Sequence, residues 1–176
     1  MKALFLAMCA MAFSLHAMAD CQLVSSQQKL TYGRMSAAER QAEGNKVIEM
    51  PEKQVFLNVV CDEPSRIRLF LGSNVPKGHE FGFGDNGVMH VTAAQATVDD
   101  RTVNLAAIHA GDPWVTTGGV REIAPALNEG IAFVDGQELR GKTASVTLTI
   151  KPRFKSNAIT DREVWRGNLR VRMDVQ

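Results

Sequence analysis

Along much of this chain apolar and polar residues alternate with a period of two, the pattern of strands that bury one face. Residues 55–61 read Val-Phe-Leu-Asn-Val-Val-Cys, so Val55, Leu57, Val59 and Cys61 share a side. After Asp62-Glu63-Pro64-Ser65, whose composition predicts a turn, residues 66–71 place Ile67, Leu69 and Leu71 on one face. Residues 143–150 alternate most regularly: Ala144, Val146, Leu148 and Ile150 point one way and Thr143, Ser145, Thr147 and Thr149 the other. The final segment repeats this, with Leu169, Val171, Met173 and Val175 set between Asn168, Arg170, Arg172, Asp174 and Gln176.

Weaker strand patterns cover residues 22–32, 46–50, 81–83 and 88–97, with Asp85-Asn86-Gly87 as a hairpin signal between the last two. Asp99-Asp100 predicts a further turn leading into residues 102–108. Ser36-Ala37-Ala38-Glu39 fits a capping box and predicts one short helical turn before Gly44. Residues 109–141 mix glycine, proline and short apolar pieces, which predicts a long excursion with one strand near 131–134. No long segment carries a 3.6-residue period. About seven or more short strands separated by turns predict an all-β chain, a two-layer antiparallel β-sandwich, with an open barrel as the structural rival.

The first residues change which part of the chain folds. Lys2 precedes an apolar run over residues 3–13, and Ala17-Met18-Ala19 then supplies a small-x-small cleavage pattern. This is the layout of a secretory signal peptide, so residues 1–19 are expected to be removed near Ala19 and residues 20–176 to form one exported domain. The run is too short to cross a hydrocarbon core of about 30 Å, so no membrane span is predicted. Loss of Lys2 brings the formal charge of +1 close to neutral. Without a basic cluster there is no electrostatic basis for binding nucleic acid. Cys9 leaves with the leader, and Cys21 and Cys61 remain as an even pair in an oxidising compartment. They are predicted to form a disulfide.

Candidate chemistry is sparse. His79, His90 and His109 each stand apart from other metal-ligating residues at ligand spacing, and no metal or other cofactor is expected. Nucleophile-elbow, phosphate-loop and H-E-x-x-H motifs are missing, so no enzymatic activity is predicted. Asp99-Asp100-Arg101 reads as a solvated turn. Trp114, in Gly111-Asp112-Pro113-Trp114, has two readings: a loop anchored by a buried indole, or an exposed ring that stacks on a sugar. Trp165 is expected to pack at a sheet edge.

Several features occur in an order similar to that of chaperone–usher fimbrial subunits. A leader is followed by Cys21 and by Tyr32-Gly33-Arg34-Met35-Ser36; a second cysteine closes the strand at 55–61; a strand over 66–72 ends in glycine; and the chain finishes on an alternating strand. The chain most resembles fimbrial-like proteins whose mature form begins near the first cysteine. The resemblance implies an immunoglobulin-like sandwich lacking its final strand, assembled by strand addition at an open edge. It also implies partners: a periplasmic fimbrial chaperone, an usher and neighbouring subunits. In that scheme Leu169, Val171, Met173 and Val175 line the groove, and the carboxylate of Gln176 contacts the chaperone.

Two departures from the family pattern bear on this. Only Asp20 separates the expected cleavage site from Cys21, which leaves no segment to donate, so the implied role is an acceptor or terminal subunit, structural or adhesin-related, at the cell surface. Val175 and Glu163 occupy places where an aromatic residue and a glycine are common, although Gly167 lies close by. The alternative is a self-contained secreted β-sandwich that binds a carbohydrate or a protein, its last strand an ordinary one.

Overall fold

The computed structural model describes residues 20–26, 30, 32, 46–84, 86–155 and 167–176. Thirteen strands follow in chain order: β1 (Cys21–Ser25), β2 (Val47–Glu49), β3 (Lys53–Gly72), β4 (Pro76–Lys77), β5 (Glu80–Phe83), β6 (Gly87–Val98) and β7 (Arg101–Thr102), then β8 (Asn104–Ile108), β9 (Glu122–Ile123), β10 (Gly130–Asp135), β11 (Gln137–Glu138), β12 (Arg140–Lys155) and β13 (Arg170–Val175). All their pairings are antiparallel.

The strands form two layers that share β3. In the first, β1 pairs with the front half of β3, β3 with β12, β12 with β6, and β6 with β5. In the second, β13 pairs with the back half of β3, β3 with β10, and β10 with β8. Val55, Leu57, Val59, Val91, Leu148 and Ile150 of the first layer meet Ile67, Leu69, Leu71, Ile131 and Phe133 of the second in one core. The chain is thus an all-β antiparallel sandwich, as the alternation predicts.

Several local expectations need correction. Residues 62–65 do not end the strand: β3 runs unbroken through them from Lys53 to Gly72. The register of β12 against β3 shifts there, from Gly141↔Ser65 to Thr143↔Val60, so the apparent turn is an irregularity inside a ladder. The first strand is shorter than the pattern suggested, ending at Ser25. Residues 109–141 hold three whole strands rather than one, β9, β10 and β11, and the first residues of β12. The signal-peptide residues, the helical turn at 36–39 and Trp165 lie outside the described residues.

A bulge explains why residues 88–97 read as a weak strand. Ala94 opposes Thr147 and Thr97 opposes Ser145, so β6 carries Gln95 and Ala96 where β12 has only Val146. Gln95 has a φ of 53°, in the left-handed region, and its Oε1 accepts the Thr147 hydroxyl at 3.1 Å. The extra residue switches the buried parity from Met89, Val91 and Ala93 to Ala96 and Val98. Asp99 and Asp100, at φ 47° and 62°, then form a two-residue hairpin between Val98 and Arg101. The Asp99 carboxylate accepts the backbone N–H groups of Lys142 and Thr143, each at 2.9 Å, beside the β12 irregularity.

Cys21 stands opposite Cys61 in the β1–β3 ladder, and the two sulfurs are bonded. The crosslink fastens an edge strand held by a single neighbour among the described residues. It closes a loop with a sequence separation of 40. Replacing both cysteines by alanine should lower stability by about 3–4 kcal/mol, read as a reduced urea midpoint relative to the oxidised protein. An unchanged midpoint would show that β1 docks without the crosslink.

Candidate functional site

Strand β13 lies along the back half of β3 in a continuous register, from Arg170 opposite Gly72 to Val175 opposite Ile67. The ladder extends one residue further, because Arg66 N–H donates to the Gln176 carbonyl at 2.8 Å and Gln176 N–H to the Arg66 carbonyl at 3.1 Å. Among the described residues β13 pairs on this side alone. Its alternation turns Leu169, Val171 and Met173 onto the core. These three and Val175 are only half-buried, whereas Ile67, Leu69 and Leu71 on the neighbouring strand are 1–3% exposed.

The opposite layer repeats this asymmetry. Cys21 and Leu23 of β1 also pack on the core while half-buried, and β1 pairs only with β3 among the described residues. Both edges lie on one side of the molecule. Along its front half β3 has β1 on one flank and β12 on the other. At Arg66 the flanking residues are Arg140 of β12 and Gln176 at the end of β13. Because β3 is continuous, β1 and β13 flank it on the side away from β12. Two apolar strips, one in each layer, therefore lie on the same side, which is open among the described residues.

The outer face of the second layer is covered instead. Arg68 and Glu138, both buried, form a two-pronged ion pair with Nε–Oε1 at 2.6 Å and Nη2–Oε2 at 2.7 Å. Arg68 also donates to the carbonyls of Asp112 and Pro113, each at 2.8 Å. Val115 N–H donates to Glu138 Oε2 at 3.1 Å, and Glu138 N–H to the Val115 carbonyl at 2.8 Å. Arg68 thus fastens the 112–115 loop to β3, Glu138 fastens it to β11, and the ion pair joins the two strands. Beside it Phe70, Ile108 and Ala132 make a small second core with Val115 against it, and Arg172 of β13 lies over the Phe70 ring at 4.7 Å.

Burial by itself would raise the pKa of Glu138. The Arg68 hydrogen bonds, the Val115 N–H and the charges of Arg68 and Arg66 outweigh it, and the carboxyl is held below its usual range. The Glu138 hydrogen bonds, against the effect of burial, keep Arg68 more firmly protonated.

Trp114 does not anchor the loop as a buried side chain: it is 42% exposed. The guanidinium carbons of Arg66 and Arg140 lie 5.0 and 5.6 Å from its ring centroid. His109 approaches Asp112 at 3.7 Å and Glu129 at 3.5 Å on the surface. Of the predicted site residues, the structure brings Cys21 and Cys61 together and sets Leu169, Val171, Met173 and Val175 along one edge. Arg66, Arg68 and Glu138 escaped the sequence reading. Phe70 was the available signal, since an aromatic residue in step with two arginines marks a strand covered on both faces.

A relative with this chain length is known. The uncharacterized protein YhcE of Escherichia coli (strain K12) is 31% identical over 169 residues, covering 93% of each chain. The chain belongs to the YhcE family. No protein-family model matches it. The crystal structure of the P pilus rod subunit PapA aligns with 90% of this chain and 99% of its own, at a TM-score of 0.47 and 12% identity.

The buried ion pair gives this member of the YhcE family a defined response to mutation and acid. Glu138→Gln leaves Arg68 buried without its counter-charge and should cost about 3–5 kcal/mol at neutral pH. Because folding lowers the Glu138 pKa, the pair's contribution is complete above the ordinary carboxylate value of about 4.3. It declines as pH falls from there through the lowered value. Urea titrations of both proteins at several pH values should show the gap closing only in that acid range. An equal gap throughout would mean that the loop, not the charge pair, carries the stability.

Proposed function

We propose that this chain is a non-enzymatic fimbrial-type subunit, exported to the periplasm and cell surface, that accepts a strand from another polypeptide along β13. The observation that carries this reading is the half-covered apolar face of β13, open on one flank among the described residues and matched by a second half-covered strip on β1. An extended segment laid between them would hydrogen-bond to β13 and bury Leu169, Val171 and Met173, the interaction of strand addition. The Cys21–Cys61 bond supports the same reading, because it holds β1 in place at the margin of that opening. So does the ordered resemblance to chaperone–usher subunits, with its leader over residues 1–19.

In this scheme a periplasmic chaperone occupies the edge first, an usher exports the complex, and a neighbouring subunit supplies the final strand. The short stretch before Cys21 suits an acceptor or terminal position. Donor-strand exchange needs only what β13 offers: a flank with no strand partner among the described residues and a run of apolar side chains at alternate positions.

The test is the thermal stability of the oxidised, exported protein with and without an extended peptide of alternating apolar residues, or with a fimbrial chaperone. A peptide at about a hundred times its Kd should add about 2.7 kcal/mol, which raises Tm by roughly 5–10 °C in a chain of this size. Val171→Asp should remove the response. A cooperative transition indifferent to peptide and chaperone would overturn strand acceptance and leave a self-contained secreted sandwich.

A further inference from the structure

A second place on the molecule has the chemistry of a ligand site, where β3 passes between the start of β12 and the end of β13. Arg66 and Arg140 are cross-strand partners on β3 and β12. Both backbone groups of Arg66 bond to Gln176, so Arg66 and Arg140 face each other as a pair without mutual hydrogen bonds, the geometry in which neighbouring side chains approach most closely. Two guanidinium groups therefore rise side by side from the sheet, and the Trp114 indole lies against both.

The two cations differ in a way that matters. Arg140 is exposed. The Arg66 side chain is 6% exposed, and its buried Nε has no hydrogen-bond partner among the described residues. Among the described residues the carboxylate oxygen nearest that Nε, Glu138 Oε1, stands 4.0 Å away and is already bonded to Arg68 at 2.6 Å. Asp112 offers no substitute: one of its carboxylate oxygens accepts the His109 N–H. Asp174 acts on Arg68. A buried guanidinium N–H left without an acceptor is a standing cost to the fold, and the planar fork of arginine is suited to a carboxylate.

We propose that Arg66, Arg140 and Trp114 form a binding site for an acidic sugar. The two guanidinium groups take the carboxylate, and the exposed part of the indole receives the apolar face of the pyranose ring. Neither group suffices alone, because an exposed guanidinium such as that of Arg140 binds small anions weakly against salt. This site is independent of strand acceptance at β13, so either result below leaves that reading untouched.

The oxidised, full exported chain is titrated at low salt with D-glucuronic acid, D-glucose and acetate, followed by calorimetry and tryptophan fluorescence. Glucuronate should bind saturably, with glucose, which lacks the carboxylate, and acetate, which lacks the ring that lies on the indole, each at least roughly tenfold weaker. Arg140→Gln alters an exposed side chain and should fold normally by circular dichroism, yet weaken glucuronate roughly tenfold. Trp114→Phe should abolish the fluorescence change and identify the reporting ring. Absence of saturable glucuronate binding, acetate binding as tightly as glucuronate, or undiminished affinity in folded Arg140→Gln would each overturn the proposal.

Discussion

The whole arrangement depends on the unbroken backbone ladder of β3. Its front half bonds to β1 and β12 and its back half to β13 and β10, so one strand carries the two layers and sets their relation. Inward side chains keep the same parity from Val55 through Leu71 despite the irregularity at residues 62–65. That continuity lets a single core form between the layers. It also places the β1 and β13 edges on the same side, which is why the open side is shared rather than being two separate defects.

Such an edge is ordinarily a hazard, since unpaired backbone groups beside apolar side chains invite association. The chain guards the first layer with a covalent bond between Cys21 and Cys61. In the second layer, Arg170 and Arg172 alternate outward along β13 with Val171 and Met173 turned in. The proposed strand acceptance would use this asymmetry: the inward row offers burial, while the charged outward row disfavours stacking of sheets face to face.

On the opposite surface, charge does what apolar contacts do in the core. Arg68 and Glu138 are surrounded by hydrogen-bond partners from the 112–115 loop, so the desolvation of both ions is offset by several short bonds at once. The same loop brings Trp114 over Arg66 and Arg140. Positioning of that indole is thus a consequence of the ion pair beneath it, which couples the stability of the loop to the geometry of the proposed sugar site.

What the sequence by itself determined was local and periodic. Alternation marked the strands at 55–61, 66–71, 143–150 and the chain's end, because a half-buried strand needs apolar residues at every second position. Cysteine count, once Cys9 was assigned to an expected leader, predicted the Cys21–Cys61 bond. Features that break the period were hidden: the bulge at Gln95 scrambles the parity of β6, and a composition typical of turns at residues 62–65 masked a continuous strand. Tertiary structure alone decided the rest. Arg68 meets Glu138 across 70 residues of sequence, and Arg66, Arg140 and Trp114 converge from three separate segments. Those pairings follow from which strands lie side by side, and no local spacing encodes that. Whether β13 has one neighbour or two is likewise a property of the assembled sheet, because an edge strand and a central strand can carry the same alternation.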